Sequence, residues 1–167
     1  MSVLWINLIV VYVSSFFARY FSNSLAIKVP YISPNKLLVL IAATSLVLVS
    51  GLRNNIGDTF FYMYSYKNNN FTFQNINYKG DFGFNILQTL LQKVSDNPQL
   101  LIFSVALLTN VLIVQVLYKY SRMIELSLFA YIAAGMYTVS MNGIRQFLAA
   151  AIVFAATKFI LNGSVIK

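Results

Sequence analysis

The sequence predicts an all-α protein, a polytopic transmembrane helical bundle of about five spans with one short amphipathic helix at the membrane interface. Three observations carry this. Hydrophobic residues make up 59% of the 167-residue chain and charged ones 10%, and a soluble domain of that size has too little interior to bury so much apolar surface. The apolar residues gather into uncharged runs approaching the roughly 20 residues that a helix needs to cross a hydrocarbon core. The basic residues stand singly between those runs, as flanks of membrane helices do.

The elements follow in order. A first span covers residues 3–21; it is closed by Arg19 and extended into the interface by Tyr20 and Phe21. It lacks a basic leader and a small-residue cleavage site, which predicts a retained helix over a signal peptide. Pro30 and Pro34 interrupt any helix between Arg19 and Lys36, because each lacks a backbone donor and restricts its predecessor. A second, aliphatic span covers 37–52 and ends at Arg53. Residues 53–97 form the longest polar segment, rich in Asn and Tyr and holding three of the four acids. Within it Phe84, Leu87, Leu91 and Val94 recur at helical spacing, which predicts an amphipathic helix lying along the interface. Asp96 or Asn97 can cap the next helix, with Pro98 suited to its first position, and that span covers 98–117. The last two spans are expected at 126–140 and 144–161, separated by a break at Asn142-Gly143. All belong to a single membrane domain, 1–167.

Charge sets an expected orientation. Arg19, Lys28 and Lys36 follow the first span with no acid among them, so that connection belongs in the cytoplasm. Alternating spans then put the N-terminus outside, Lys119, Arg122, Lys158 and Lys167 inside, and both the 53–97 segment and the Asn142 turn outside. The net charge of +8 does not form a basic face, so nucleic acid is not an expected partner. Cys and His are both absent, which removes thiolate and imidazole chemistry and the usual zinc ligands. No metal or cofactor is expected, and any chemistry must use carboxylates, Arg, Lys, Tyr or backbone.

Two constellations stand out. In the first, Arg53 and Asp58 could clamp a phosphate, with Tyr62 and Tyr66 on the same helical face as Asp58. Spacing alone favours a plainer role: Arg53 snorkels, Asp58 caps a helix and the tyrosines form an aromatic belt. The second is Asn142-Gly143-Ile144-Arg145-Gln146. There a cation sits in the first turn of a helix, against the dipole and with no neighbouring acid in sequence, which suits an anionic ligand or a headgroup-reaching flank.

These motifs, Gly51 to Asp58 with Tyr62, Gly80 to Phe84 before an amphipathic helix, and Asn142 to Gln146 before small residues, together resemble the EpsG family. That family is Wzy-like, made of multispanning bacterial exopolysaccharide polymerases implicated in capsule and biofilm matrix. The resemblance implies a membrane glycosyltransferase-type enzyme that joins polyprenyl-diphosphate-linked oligosaccharides at the outer face of the cytoplasmic membrane, in contact with lipid and with other polysaccharide assembly proteins. Family members are generally longer, so the resemblance also implies an N-terminal portion or a shortened homologue. Where the family commonly has Glu-Pro before Gly-Phe, this chain has Asp81-Phe82. Candidate catalytic residues are Arg53, Asp58 and Arg145; candidate substrate-binding residues are Tyr62, Tyr66, Asn142 and Gln146. An exporter of polysaccharide or lipid-linked sugar, and a non-catalytic membrane subunit of an assembly complex, are the rival functions.

Overall fold

Each expected span falls on helix in the computed structural model of the chain, which describes residues 2–22, 33–54, 56–69, 71 and 81–161. Among these there are eight α-helices and no strand: α1 (Ser2–Tyr20), α2 (Lys36–Gly51), α3 (Thr59–Asn68), α4 (Phe82–Gln92), α5 (Pro98–Tyr120), α6 (Ile124–Ala133), α7 (Met136–Asn142) and α8 (Ile144–Leu161). Lys28, Pro30, Gly80 and Lys167 lie outside the described residues.

Local chemistry starts these helices where side chains can serve free amides. Asn35 accepts from the amides of Leu37 and Leu38 at the head of α2. At α5 the cap is Asn97, not Asp96; it accepts from the Gln99 amide at 2.9 Å, with Pro98 in the first turn.

The expectation of five spans is met only in part. Among the described residues, α1 and α5, of 19 and 23 residues, are long and apolar enough to cross a membrane. The 16-residue α2 is apolar but shorter, and α8 runs to the edge of the described residues. The expected single span at 126–140 is instead α6 and α7, bent by 53°. The cause is Gly135, at φ 80° in the left-handed region, where its amide closes a turn on the Ile132 carbonyl at 3.0 Å. Glycine takes that conformation without the Cβ clash that penalises other residues, so the helix ends there and restarts in a new direction. If the bent pair is one broken span, the number of candidates rises to three.

Helix α5 is the axis of the packing: α2, α3, α6 and α8 all lie against it, while α1 lies on α2 and α6. One apolar core joins Val11 and Ala18 of α1 to Leu46 of α2, Leu128 of α6 and Tyr137 of α7. A second gathers Tyr66, Phe84, Leu101, Ile102 and Leu148 around the first half of α5. Outward faces stay apolar, as Trp5 at 67% and Val153 at 70% exposure illustrate, which suits a hydrocarbon solvent. Several polar groups inside are paired within the protein: the Asn7 side-chain carbonyl oxygen with Ser45, Asn110 with Ser50, and the Tyr137 hydroxyl with the Leu46 carbonyl.

The two ends of α5 differ. Gln99 at its start donates to the Gly51 carbonyl at 2.6 Å, which brings α2's end, Arg53 and α3 to that side. Tyr118 near its other end donates to the Pro34 carbonyl, beside Lys36, Lys119 and Arg122. Arg19, expected as a simple flank, forms an ion pair with Glu125, which is 4% exposed, and so ties the end of α1 to the start of α6.

The amphipathic segment is helical as expected, with Phe84 buried and Leu87 and Leu91 packed on the second core. Val94 departs from the expected stripe: it lies beyond α4 and is 78% exposed.

Candidate functional site

The site forms where α3, α4 and α8 begin. Ile56 to Asp58 turn the chain into α3, and Gly57 adopts φ 55° in that turn. A Cβ on Gly57 would land on the Asn142 side chain, so glycine is required both for its dihedral and for the close approach. Asn142 uses that proximity: its Oδ1 accepts the Asp58 amide at 2.8 Å, locking the α3 turn to the α7–α8 break. The break itself falls at Gly143, as the Asn-Gly pair predicts.

Arg145 then projects from the first turn of α8 toward α3 and α4. Its Nη1 pairs with the Asp81 carboxylate, and its Nε donates a long hydrogen bond, 3.4 Å, to the Tyr62 hydroxyl. Its guanidinium also lies over the Tyr62 ring, 5.6 Å from the centroid, in cation–π contact. Tyr62 is braced in turn by an edge-on contact with Phe84. The reading that no acid offsets Arg145 is therefore corrected: Asp81, 64 residues away in sequence, supplies the counter-charge. Both members of the pair remain about half exposed, 48% for Arg145 and 53% for Asp81. Among the described residues Nε and Nη1 carry its side-chain contacts, to Tyr62 and Asp81, and the guanidinium remains half open to solvent.

Below Arg145 opens a cleft of about 410 Å³ whose polar lining comes from Asp58, Tyr62, Ser65, Asn85, Gln88 and Arg145. Of the residues singled out in the sequence, Asp58, Tyr62 and Arg145 are brought together here. Asn142 is one step removed, holding Asp58 by its backbone. Gln146 is exposed beside Gly143, away from the cleft lining.

Arg53 and Tyr66 are elsewhere. Arg53 is 5% exposed, donating from Nε to Thr59, from Nη1 to the Ser50 carbonyl and from Nη2 to the Met141 carbonyl at 2.8 Å. Burial lowers its pKa from 12.5 to about 10, so it is still a cation at neutral pH. Its partners are neutral oxygens, and it forms no ion pair with Asp58, so the proposed clamp is replaced by a buried staple between α2, α3 and α7. Tyr66 is fully buried, with its hydroxyl donating to the Ser95 carbonyl at 2.9 Å. Asp58 sits at the head of α3, yet its carboxylate makes no capping bond, and the residue lines the cleft.

Asp81, Ser65, Asn85 and Gln88 were not singled out as site residues. Of these only Asp81 left a trace in the sequence, as the acid preceding Phe82-Gly83-Phe84; the others lie on helix faces whose neighbours only the fold reveals. Among the described residues no cluster of acids suited to a metal ion is present.

Apolar helices around a half-exposed, charged cleft define a helical membrane protein with a polar site at one end of its bundle. The chain belongs to the EpsG family, whose profile matches residues 36–167. The matched region contains the whole of the cleft. No curated protein and no solved structure matches the chain.

Proposed function

We propose that this protein polymerises polyprenyl-diphosphate-linked repeat units at the outer face of a bacterial cytoplasmic membrane, making exopolysaccharide or capsule, with its N-terminus outside. The observation that carries this is the half-exposed Arg145 guanidinium at the rim of a cleft that also holds the Asp58 carboxylate. Family membership supports an exopolysaccharide polymerase-like activity.

In this reaction a hydroxyl oxygen of the acceptor sugar attacks the anomeric carbon of the donor. The bond from that carbon to the diphosphate oxygen breaks, and its electron pair leaves with the polyprenyl diphosphate. Arg145 is suited to the charge that builds there, through the planar pair of donors that a guanidinium presents to phosphate. Asp58 is the group that takes the proton of the attacking hydroxyl. Tyr62 and Asp81 hold Arg145 in place, and Tyr62 offers a ring face and hydroxyl to a sugar. Arg53 acts at a distance, holding the Met141 carbonyl near the end of α7, next to the Asn142 turn from which Arg145 springs.

The main rival is export, and the location of accumulated substrate separates the two. Cells lacking the chain should make no polymer and collect single lipid-linked repeat units in the outer leaflet, where an impermeant oxidant applied to intact spheroplasts reaches them. Accumulation confined to the inner leaflet would overturn the polymerase in favour of an exporter. Unchanged polymer with no accumulation would leave only a subunit role.

A further inference from the structure

Arg145 borders a second hollow besides the polar cleft. This groove, of about 400 Å³, runs between α5 and α8 and is lined by Leu87, Leu108, Leu112, Leu148, Ala149 and Ile152, with Asp81 and Arg145 at one end. Residues 145, 149 and 152 share one face of α8, so the groove descends from the guanidinium over about 10 Å of helix. Its outer wall is open: Ile152 is 54% exposed and Leu108 41%. Arg145 and Phe84 are the residues common to the linings of both hollows. The arrangement is a linear sequence of environments: a polar cleft, the half-exposed Arg145–Asp81 ion pair, then a hydrocarbon-lined groove.

We propose that this groove seats the first isoprene units of an isoprenoid diphosphate, with the diphosphate on Arg145 and the attached sugar in the Asp58 cleft. The inference rests on the polymerase reading for the sugar, but it assigns a site for the lipid that the reading by itself leaves open. Charge complementarity selects the occupant. An anion at the groove's head must lie between an apolar tail and a polar group large enough for the cleft, and a lipid-linked sugar diphosphate has its parts in that order. A diacyl phospholipid brings two chains below its phosphate, where an isoprenoid diphosphate brings one. On the other side of α8 lies a comparison: a larger apolar hollow of about 500 Å³, lined by Ala150 and Phe154 among others, with no charged residue in its lining. By the same reasoning it should not take the diphosphate lipid.

The full chain in lipid nanodiscs, irradiated with a farnesyl diphosphate that carries a benzophenone at its terminal isoprene, tests this. Label should fall on the peptides containing Leu108 to Leu112 or Ala149 to Ile152. Ala149→Trp fills the groove one helical turn from Arg145 and should cut labelling about tenfold, while Ala150→Trp, in the uncharged hollow, should leave it unchanged. Ala149→Leu, a smaller change, should fall between them, and thermal stability of each variant in detergent shows that it is folded. Label in the Ala150 hollow, label indifferent to Ala149→Trp, or label lost equally when disc phosphatidylglycerol is raised would each overturn the proposal, the last by making the groove a phospholipid site. Groove labelling in a chain whose loss leaves polymer unchanged would keep this inference and remove the polymerase reading. Polymer made by a chain that shows no groove labelling would do the reverse.

Discussion

At the scale of single residues, the site depends on positions that do no chemistry. Gly57 is the clearest, since its φ of 55° and the approach of Asn142 both exclude a side chain. The left-handed conformation alone costs a non-glycine residue about 1–2 kcal/mol, and the collision with Asn142 adds to it. Gly57→Ala should therefore lower the thermal stability of the detergent-solubilised protein and loosen the α3 turn. Adding Asn142→Ala removes the collision but not the dihedral strain, so the double variant should recover part of the loss and show clear non-additivity. Additive losses, checked by thermal unfolding, would mean that the two residues are not in contact. Arg53 illustrates a different lesson. Its residue type and place beside a span fit a phosphate ligand, a snorkelling flank or a buried staple equally well, and only the carbonyls of Ser50 and Met141 around it decide.

At the scale of elements, what sequence reveals is what local physics determines. The apolar runs become α1, α2, α5 and α8 within a few residues of their expected limits, and the Asn97-Pro98 start is legible because a cap acts on its own helix. The break at Gly135 was hidden, since the run around it is uncharged throughout and hydropathy does not register a dihedral. Gly135 itself was the available signal. For the site, Asp58, Tyr62 and Arg145 were recognisable, but the pairing of Arg145 with Asp81 was not, because it joins the starts of two helices brought together only by packing on α5. Tyr66 shows the converse: four residues after Tyr62, one helical turn, it nevertheless turns into the core.

At the scale of the molecule, the two ends of α5 carry different chemistry. One holds the cleft, the other Lys36, Lys119 and Arg122 with the Arg19–Glu125 pair. Basic residues favour the cytoplasmic side, so the cleft should open outward. The chain has no native cysteine, so single ones report cleanly. Phe61, 74% exposed and part of the cleft lining, should as Phe61→Cys react with an impermeant thiol reagent in intact cells. Arg122→Cys should react only after permeabilisation, and the reverse pattern would place the cleft inside.

The proposed reaction rests on Arg145 binding a diphosphate through a planar pair of donors. Arg145→Lys keeps the charge, the reach and a partner for Asp81, but an ammonium cannot present that pair. The measurement is polymer and lipid-linked repeat unit per cell, at matched membrane levels of the two proteins. A diphosphate-binding Arg145 predicts lost polymer and accumulated single repeat units in the lysine variant; wild-type polymer from a well-expressed Arg145→Lys protein would contradict it.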